Sequence, residues 1–296
     1  HGWPHHYQLE PASRWKTETM TDNSRWLVAL DIDGTVLHED GTLSSAVIAA
    51  VRQARDNGHE VMLATGRSAS MTIPILERLG IVPEYVVCSN GAITLRRDTS
   101  SPSGYRRYHV EHFDPTPVLT RIKERLPEAH YAVEDQTGLY RYTDWFPEGA
   151  LDALSEQVTF EELLTTVATR VVVIAPGHEI DDFLARVEDM GLHQVSYTVG
   201  WTAWLDIAPD GVNKSTALEL VRTQLGFELD RCMVVGDGRN DIEMLQWAAA
   251  GGRAVAMGQA PEEVRVHATE MVADFLDDGV AQALAGLPGR VSSEVS

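Results

Sequence analysis

Asp31 and Asp33 stand two residues apart, separated by Ile32. At the end of a strand, alternation lets both carboxylates face one pocket while Ile32 packs the other way. Gly34 permits close backbone approach to a ligand, and Thr35 adds a hydroxyl. Asp237 and Asp241 follow another apolar run, CMVV. Four carboxylates in one pocket repel one another strongly without a cation. An all-oxygen donor set suits Mg2+, and no His or Cys accompanies these acids to favour zinc. Phosphate is the natural partner of such a site. Mg2+ and Lys214 would offset the charge on a transferring group, while Thr65 and N–H groups near Gly34 and Gly66 would bind its oxygens. One carboxylate can attack phosphorus, and a second can protonate the leaving oxygen and later activate water.

These residues fall where a parallel sheet would gather them. Residues 26–30 (WLVAL) form an apolar run too short for a helix, as in a strand buried on both faces. A helix capped by Ser44 or Ser45 follows, stopped by Gly58. EVMLA, ending in TGR, predicts a second strand, and a helix over 71–79 precedes a third, YVVC, ending in SNGA. This alternation implies right-handed crossovers and a parallel, Rossmann-like sheet. Ligands bind outside the carboxyl ends of such strands, which is where DIDGT, TGR and GDGRND stand.

From residue 92 the pattern changes. Strands are expected near 105–110, 131–134, 139–143, 170–175 and 195–199, with helices near 117–126, 148–157 and 180–190. Paired strands with short turns predict an antiparallel sheet carrying helices on one face, inserted into the first domain. The expected division is an N-terminal extension over 1–24, a core over 25–91 and 204–290, and an inserted α/β cap over 92–203.

DIDGT after a strand, TGR after the next, a lysine opening a helix and GDGRND after a later strand resemble the haloacid dehalogenase-like superfamily. The long insertion, SNGA and WLDIAPDGVNKSTAL are similar to its subclass IIB, the Cof-type phosphatases; together the likeness covers about residues 25–285. The resemblance implies that Asp31 is the nucleophile and a Mg2+ ligand. Asp33 would be the general acid/base and lend its carbonyl to the metal. Thr65 would bind the phosphoryl group, Lys214 would steady nucleophile and phosphoryl oxygens, and Asp237 would bind metal. Asn240 and Asp241 match positions that bind phosphate or orient metal waters. The implied activity is hydrolysis of small phosphate monoesters through an aspartyl-phosphate, on sugar phosphates first and phosphorylated cofactors such as pyridoxal phosphate or flavin mononucleotide next. A phosphomutase would share the first half-reaction, and a non-catalytic phosphometabolite-binding protein would keep the fold without turnover.

Blander readings stand beside these. Thr65 also suits a helix N-cap. Arg67 can meet substrate or pair with a surface acid, Asn90 can simply make a turn, and His38 reads as a surface histidine. Tyr140, Arg141, Tyr142, Trp145, Trp201 and Trp204 can serve packing or substrate recognition.

The 296 residues suggest about two domains. With 44% hydrophobic and 23% charged residues, collagen-like, coiled-coil and wholly disordered chains are excluded. A net charge of −20 opposes nucleic acid and anionic membrane, but not a small phosphorylated metabolite held by metal and lysine. Cys88 and Cys232 sit in apolar runs and read as reduced core residues, which favours the cytoplasm. No apolar stretch approaches a membrane span, and the first twenty residues lack the apolar core of a secretion signal. A monomer or homodimer is expected.

Overall fold

The computed structural model describes residues 24–151, 154–200 and 202–289. The N-terminal extension, Trp201 and the C-terminal tail lie outside the described residues, apart from Ser24 and the start of the tail.

The chain enters through β1 (Leu27–Leu30), buried along its whole length. Ser44 accepts from the Val47 N–H at 3.1 Å and starts α1 (Ser45–Asp56), which leads to β2 (Glu60–Leu63), parallel to β1. Ser68 caps α2 (Ala69–Leu79), which accommodates Pro74 and ends at Gly80 with φ +74°. β3 (Tyr85–Cys88) joins β2 through the parallel bridge Ala64–Val87. After a 3-10 turn over Ser89–Gly91 the chain doubles back into β4 (Ile93–Arg97) and β5 (Tyr105–Val110), an antiparallel extension of β3.

The second unit runs through α3 (Thr116–Arg125), β6 (His130–Asp135), β7 (Tyr140–Tyr142), β8 (Ser155–Gln157) and the one-turn α4 (Phe160–Leu163). It continues with β9 (Ala168–Ile174), α5 (Ile180–Met190), β10 (Val195–Val199) and β11 (Trp204–Pro209). Its sheet order is β10-β11-β9-β6-β7-β8. Alternation along β9 divides the faces: Val171 and Val173 pack on α3 and α5, whereas Val172 and Ile174 face the opposite side with Trp204. Residues 134, 170 and 206 share that second face with 132, 172 and 204 by the same alternation, so the cap turns a polar trio away from its helices.

The return is α6 (Lys214–Leu225), β12 (Cys232–Gly236), α7 (Ile242–Ala249), β13 (Arg253–Ala256), α8 (Glu262–Arg265), β14 (Glu270–Met271) and α9 (Gly279–Ala285). The core sheet is parallel throughout, in the order β14-β13-β12-β1-β2. α1, α2 and α9 cover one face through Val51, Leu76 and Val280, and α6 and α7 cover the other through Leu218 and Leu245. The result is the expected α/β core with a second α/β unit inserted into it. β1 lies between β12 and β2, so its carboxyl end is the crevice where crossovers depart in both directions.

Two expectations need correction. Among the described residues of 148–157 no helix forms: 148–151 make a turn around Gly149, with φ +75°, and 155–157 are β8, parallel to β7. Pro147 and Gly149 favour that turn over a helix start. The strand pairing also departs from the expected boundaries of the cap. β4, inside 92–203, pairs with β3 of the core and carries β5 on its other edge, and β11, beginning at 204, pairs with β9 and β10 of the cap. The switch from parallel to antiparallel pattern at residue 92 reflects the three-stranded sheet β3-β4-β5, not the start of the six-stranded cap sheet.

Candidate active site

Asp31 follows β1, Asp237 follows β12, and Asp241 closes the 3-10 turn over Arg239–Asp241. Their carboxylates converge, each offering an oxygen within 4.8 Å of the others. Lys214, the first residue of α6, reaches in from the side. Its Nζ donates to Asp31 Oδ1 at 2.7 Å and to Asp241 Oδ1 at 2.6 Å, and its side chain is wholly buried. Asn213 aims the lysine: it caps α6 by accepting from the Ser215 and Thr216 N–H groups. Asp241 Oδ2 accepts from the Asp237 and Gly238 N–H groups at 2.9 and 3.0 Å, shaping the GDGRND loop.

The electrostatics follow from burial. Burial and the Asp241 charge push the Asp31 carboxyl well above the usual range, although Lys214 opposes this. Burial, then Asp241, lifts Asp237 to about 7. Burial disfavours the Lys214 ammonium, but Asp241 and Asp31 together hold it charged beyond the ordinary lysine range. Fully ionised, the three carboxylates would exceed the one ammonium by two negative charges among the described residues of the cluster, so the donor set fits a divalent, oxygen-seeking cation.

The remaining expected residues surround this cluster. Gly34 takes φ +78°, and a Cβ there would collide with the Asp237 carboxylate, so only glycine fits. The Thr65 hydroxyl accepts from the Arg67 N–H at 3.0 Å, making a local turn, and its own proton stays available for an oxygen acceptor. Gly66 lines the cleft, with the Asn90 side chain packed where a Cβ would sit. Asn240 Nδ2 donates to Asn90 Oδ1 at 3.0 Å, so Asn90 does more than turn the chain. Asp33 is not brought into the acid cluster. Its side chain is 62% exposed at the cleft mouth and paired with Arg67, which answers the two readings of that arginine in favour of an ion pair. His38 is not a free surface histidine: it lines the cleft, and its ring lies 5.2 Å from that of Phe275.

The cleft between core and cap has a volume of about 840 Å³. Its cap wall includes Arg170, Asp206 and Trp204. Arg170 pairs with Asp206 through two hydrogen bonds, at 2.7 and 2.5 Å, and donates to the Tyr140 hydroxyl at 2.9 Å. Arg141 instead pairs with Asp135 and Glu156, away from the cleft, and Trp145 is 60% exposed. Sequence reasoning passed over Gln259, whose Nε2 donates to the Gly34 carbonyl at 2.5 Å and to Asp237 Oδ2 at 3.3 Å. Gln259 follows β13, so the rule of strand carboxyl ends could have found it. Arg170 and Asp206 lie in runs that read as plain strand, and only the register between β9 and β11 joins them.

A match to the family described as haloacid dehalogenase-like hydrolase spans residues 28–284. The chain belongs to the haloacid dehalogenase-like hydrolases. Within this family it is 28% identical over 271 residues to 5-amino-6-(5-phospho-D-ribitylamino)uracil phosphatase YitU of Bacillus subtilis, covering 88% of this chain and 96% of that protein. It is 28% identical over 281 residues to pyridoxal phosphate phosphatase YbhA of Escherichia coli, covering 86% and 96%. Among solved structures, the HAD subclass IIB sugar phosphatase BT4131 superposes with a TM-score of 0.74 at 20% identity, over 88% of this chain and 98% of that one. The likeness to Cof-type members of the haloacid dehalogenase-like hydrolases therefore holds beyond the four short motifs that suggested it.

Proposed function

We propose that this protein is a Mg2+-dependent phosphatase of small phosphate monoesters, working through an aspartyl-phosphate on Asp31. The observation that carries the reading is the Lys214 ammonium held between Asp31 and Asp241, beside Asp237 and at the base of a large cleft. Asp31, Asp237 and the Asp33 carbonyl would hold the metal, with Asp241 behind them. When bound, Mg2+ would offset charge on the transferring phosphoryl group.

The chain's own residues supply the rest. Lys214 fixes the rotamer of Asp31 and leaves its carboxylate facing the crevice. Thr65, Asn240 and the N–H groups around Gly34 and Gly66 would receive the phosphoryl oxygens. The Asp31 oxygen bonds to phosphorus as the ester P–O bond breaks, and Asp33 delivers a proton to the leaving alcohol. Asp33 then takes a proton from water, which attacks phosphorus, breaks the P–O bond to Asp31 and releases inorganic phosphate. Arg67 must loosen its hold on Asp33 for that proton traffic.

Charge pairing narrows the substrate. Arg67, Arg170 and Arg239 line the cleft, and each is already matched, with Asp33, Asp206 and Glu263 respectively. A second phosphate or a carboxylate on the leaving group would therefore have to displace a partner. A neutral leaving group with a flat or hydroxylated face fits Trp204 and the Arg170–Asp206 pair better. Sugar phosphates and phosphorylated cofactors meet that description, in keeping with the names of the relatives. Among the described residues no helix is long and apolar enough to cross a membrane. A cytoplasmic location is proposed on a different ground, the two buried cysteines that stay free of a disulfide.

The test is phosphate release from an aryl phosphate and a panel of metabolite phosphates, with Mg2+ or EDTA. Mg2+-dependent release of inorganic phosphate supports the reading. Transfer between positions of one substrate, without release, would make the enzyme a mutase instead.

A further inference from the structure

Glu134 is fully buried in β6, on the cap face turned toward the core. Its Oε2 accepts from the Tyr140 hydroxyl of the cap at 2.9 Å and from the Ser89 hydroxyl of the core at 2.7 Å. Among the described residues its Oε1 finds no hydrogen-bond partner. Burial raises the carboxyl above its usual range, against the pull of Arg170, Ser89, Tyr140 and Arg107. A carboxyl kept here with one oxygen unpaired is costly, and a position that only filled space would be better served by an apolar side chain.

Both ends of this link lead to the cleft. On the cap side, Tyr140 accepts from Arg170, which pairs with Asp206, and both line the cleft opposite Asp31. On the core side, Ser89 belongs to the turn over Ser89–Gly91. Ser89 and Asn90 hold φ at +48° and +50°, a left-handed conformation that asparagine tolerates and serine rarely adopts. Contacts within the core hold that turn in place. The Ser89 N–H donates to the Arg67 carbonyl at 2.9 Å, the Asn90 N–H donates to the Thr65 carbonyl at 3.0 Å, and Asn240 donates to the Asn90 side chain. Gly91, with φ +97°, presses on the Asn213 carbonyl beside Lys214 so closely that a Cβ would collide with it. The turn is thus anchored by four contacts on three segments of the catalytic edge before it meets the cap.

We propose that Glu134 is a positioning residue, which ties the substrate-facing Arg170–Asp206 pair of the cap to the Ser89–Gly91 turn of the core. Because the core side is held by other contacts, cutting the link shifts the cap and leaves the acid cluster in place. Glu134 touches no substrate. It sets the register in which the cap meets the leaving group, and so acts on substrates large enough to reach that wall. The inference rests on the phosphatase reading above.

The test compares acetyl phosphate, whose leaving group is too small to need the cap, with 4-nitrophenyl phosphate. Native enzyme, Ser89→Ala, Glu134→Ala, Glu134→Gln and the double variant Ser89→Ala/Glu134→Ala are assayed with Mg2+. Loss of a hydrogen bond to a buried carboxylate predicts KM for 4-nitrophenyl phosphate raised about tenfold in Ser89→Ala and Glu134→Ala. The double variant should be no worse than Glu134→Ala, since both changes cut one link. Glu134→Gln, whose amide oxygen can still accept from both hydroxyls, should recover most of the loss. On acetyl phosphate the same variants should change far less. Equal losses on both substrates, or additive losses in the double variant, would overturn the positioning role and leave the phosphatase reading standing. No release from either substrate by the native enzyme would overturn that reading, and this proposal with it.

Discussion

Arg67 grips both oxygens of Asp33, Nε to Oδ2 at 2.9 Å and Nη2 to Oδ1 at 2.6 Å. The pair spans two strand ends, TGR after β2 and DIDGT after β1, and holds the proposed acid/base at the cleft mouth. Asp33 is mostly exposed, so the pair adds at most about 1 kcal/mol to stability. Its value is orientation. Arg67→Ala should lower kcat/KM by roughly tenfold or more, the scale of one charge-assisted hydrogen bond, with the melting temperature nearly unchanged. Kinetics and calorimetry on the same sample check this. A large fall in melting temperature with unchanged kinetics would make Arg67 structural.

Lys214 presents the opposite case. Its side chain and that of Asp241 are fully buried. Removing one member of a buried ion network leaves uncompensated charge, at a cost of about 3–5 kcal/mol. Lys214→Met should therefore lose both turnover and stability at neutral pH. Acid should restore part of the stability, because protonation removes the carboxylate charge that the lysine had balanced. Chemical denaturation at two pH values measures this.

Without metal, the acid cluster makes stability depend on pH in a defined direction. Asp237 is raised from 3.8 to about 7, so between those values the folded chain binds the proton more tightly than the unfolded chain. Stability then falls as pH rises through that window, and the loss is complete above about 7. The buried Asp31, raised in the same direction, adds to it. In EDTA the melting temperature should drop from pH 5 toward pH 7. Adding Mg2+ near pH 7.5 should raise it, by mass action on the folded state. A melting temperature indifferent to Mg2+ at that pH would argue against metal binding by these acids.

Cys88 and Cys232 are both buried and free, and burial pushes each thiol up to about 12. At pH 8 neither forms the thiolate that alkylating reagents attack. Native protein should resist iodoacetamide over hours and react at both sites once unfolded. Rapid labelling of the folded chain, read by mass spectrometry, would contradict the described packing.

The core and its cluster were legible because local rules coincide there. WLVAL, CMVV and the runs between them bury on both faces, and each ends in the polar residues that a parallel sheet gathers at one edge. Asp31, Lys214, Asp237 and Asp241 meet for that reason. Asp33 was legible as a residue but not as a pose, since alternation says nothing about Arg67 reaching across from the next strand end. The cap was less readable. The turn at Gly149 interrupts an apolar spacing that mimics a helix, and the hairpin β4–β5 imitates the start of the cap sheet. Glu134, Arg170 and Asp206 were invisible as a group because their association depends on the register of three antiparallel strands.

The central claim is that Asp31 carries the phosphoryl group. Native enzyme and Asp33→Asn, in which the second half-reaction should stall, are mixed with 4-nitrophenyl phosphate and Mg2+, quenched in acid and digested. The account predicts a phosphoryl group on the peptide containing Asp31, enriched in Asp33→Asn, and no turnover in Asp31→Asn. Undiminished phosphate release by Asp31→Asn, or a phosphoryl group found only on another residue, would contradict it.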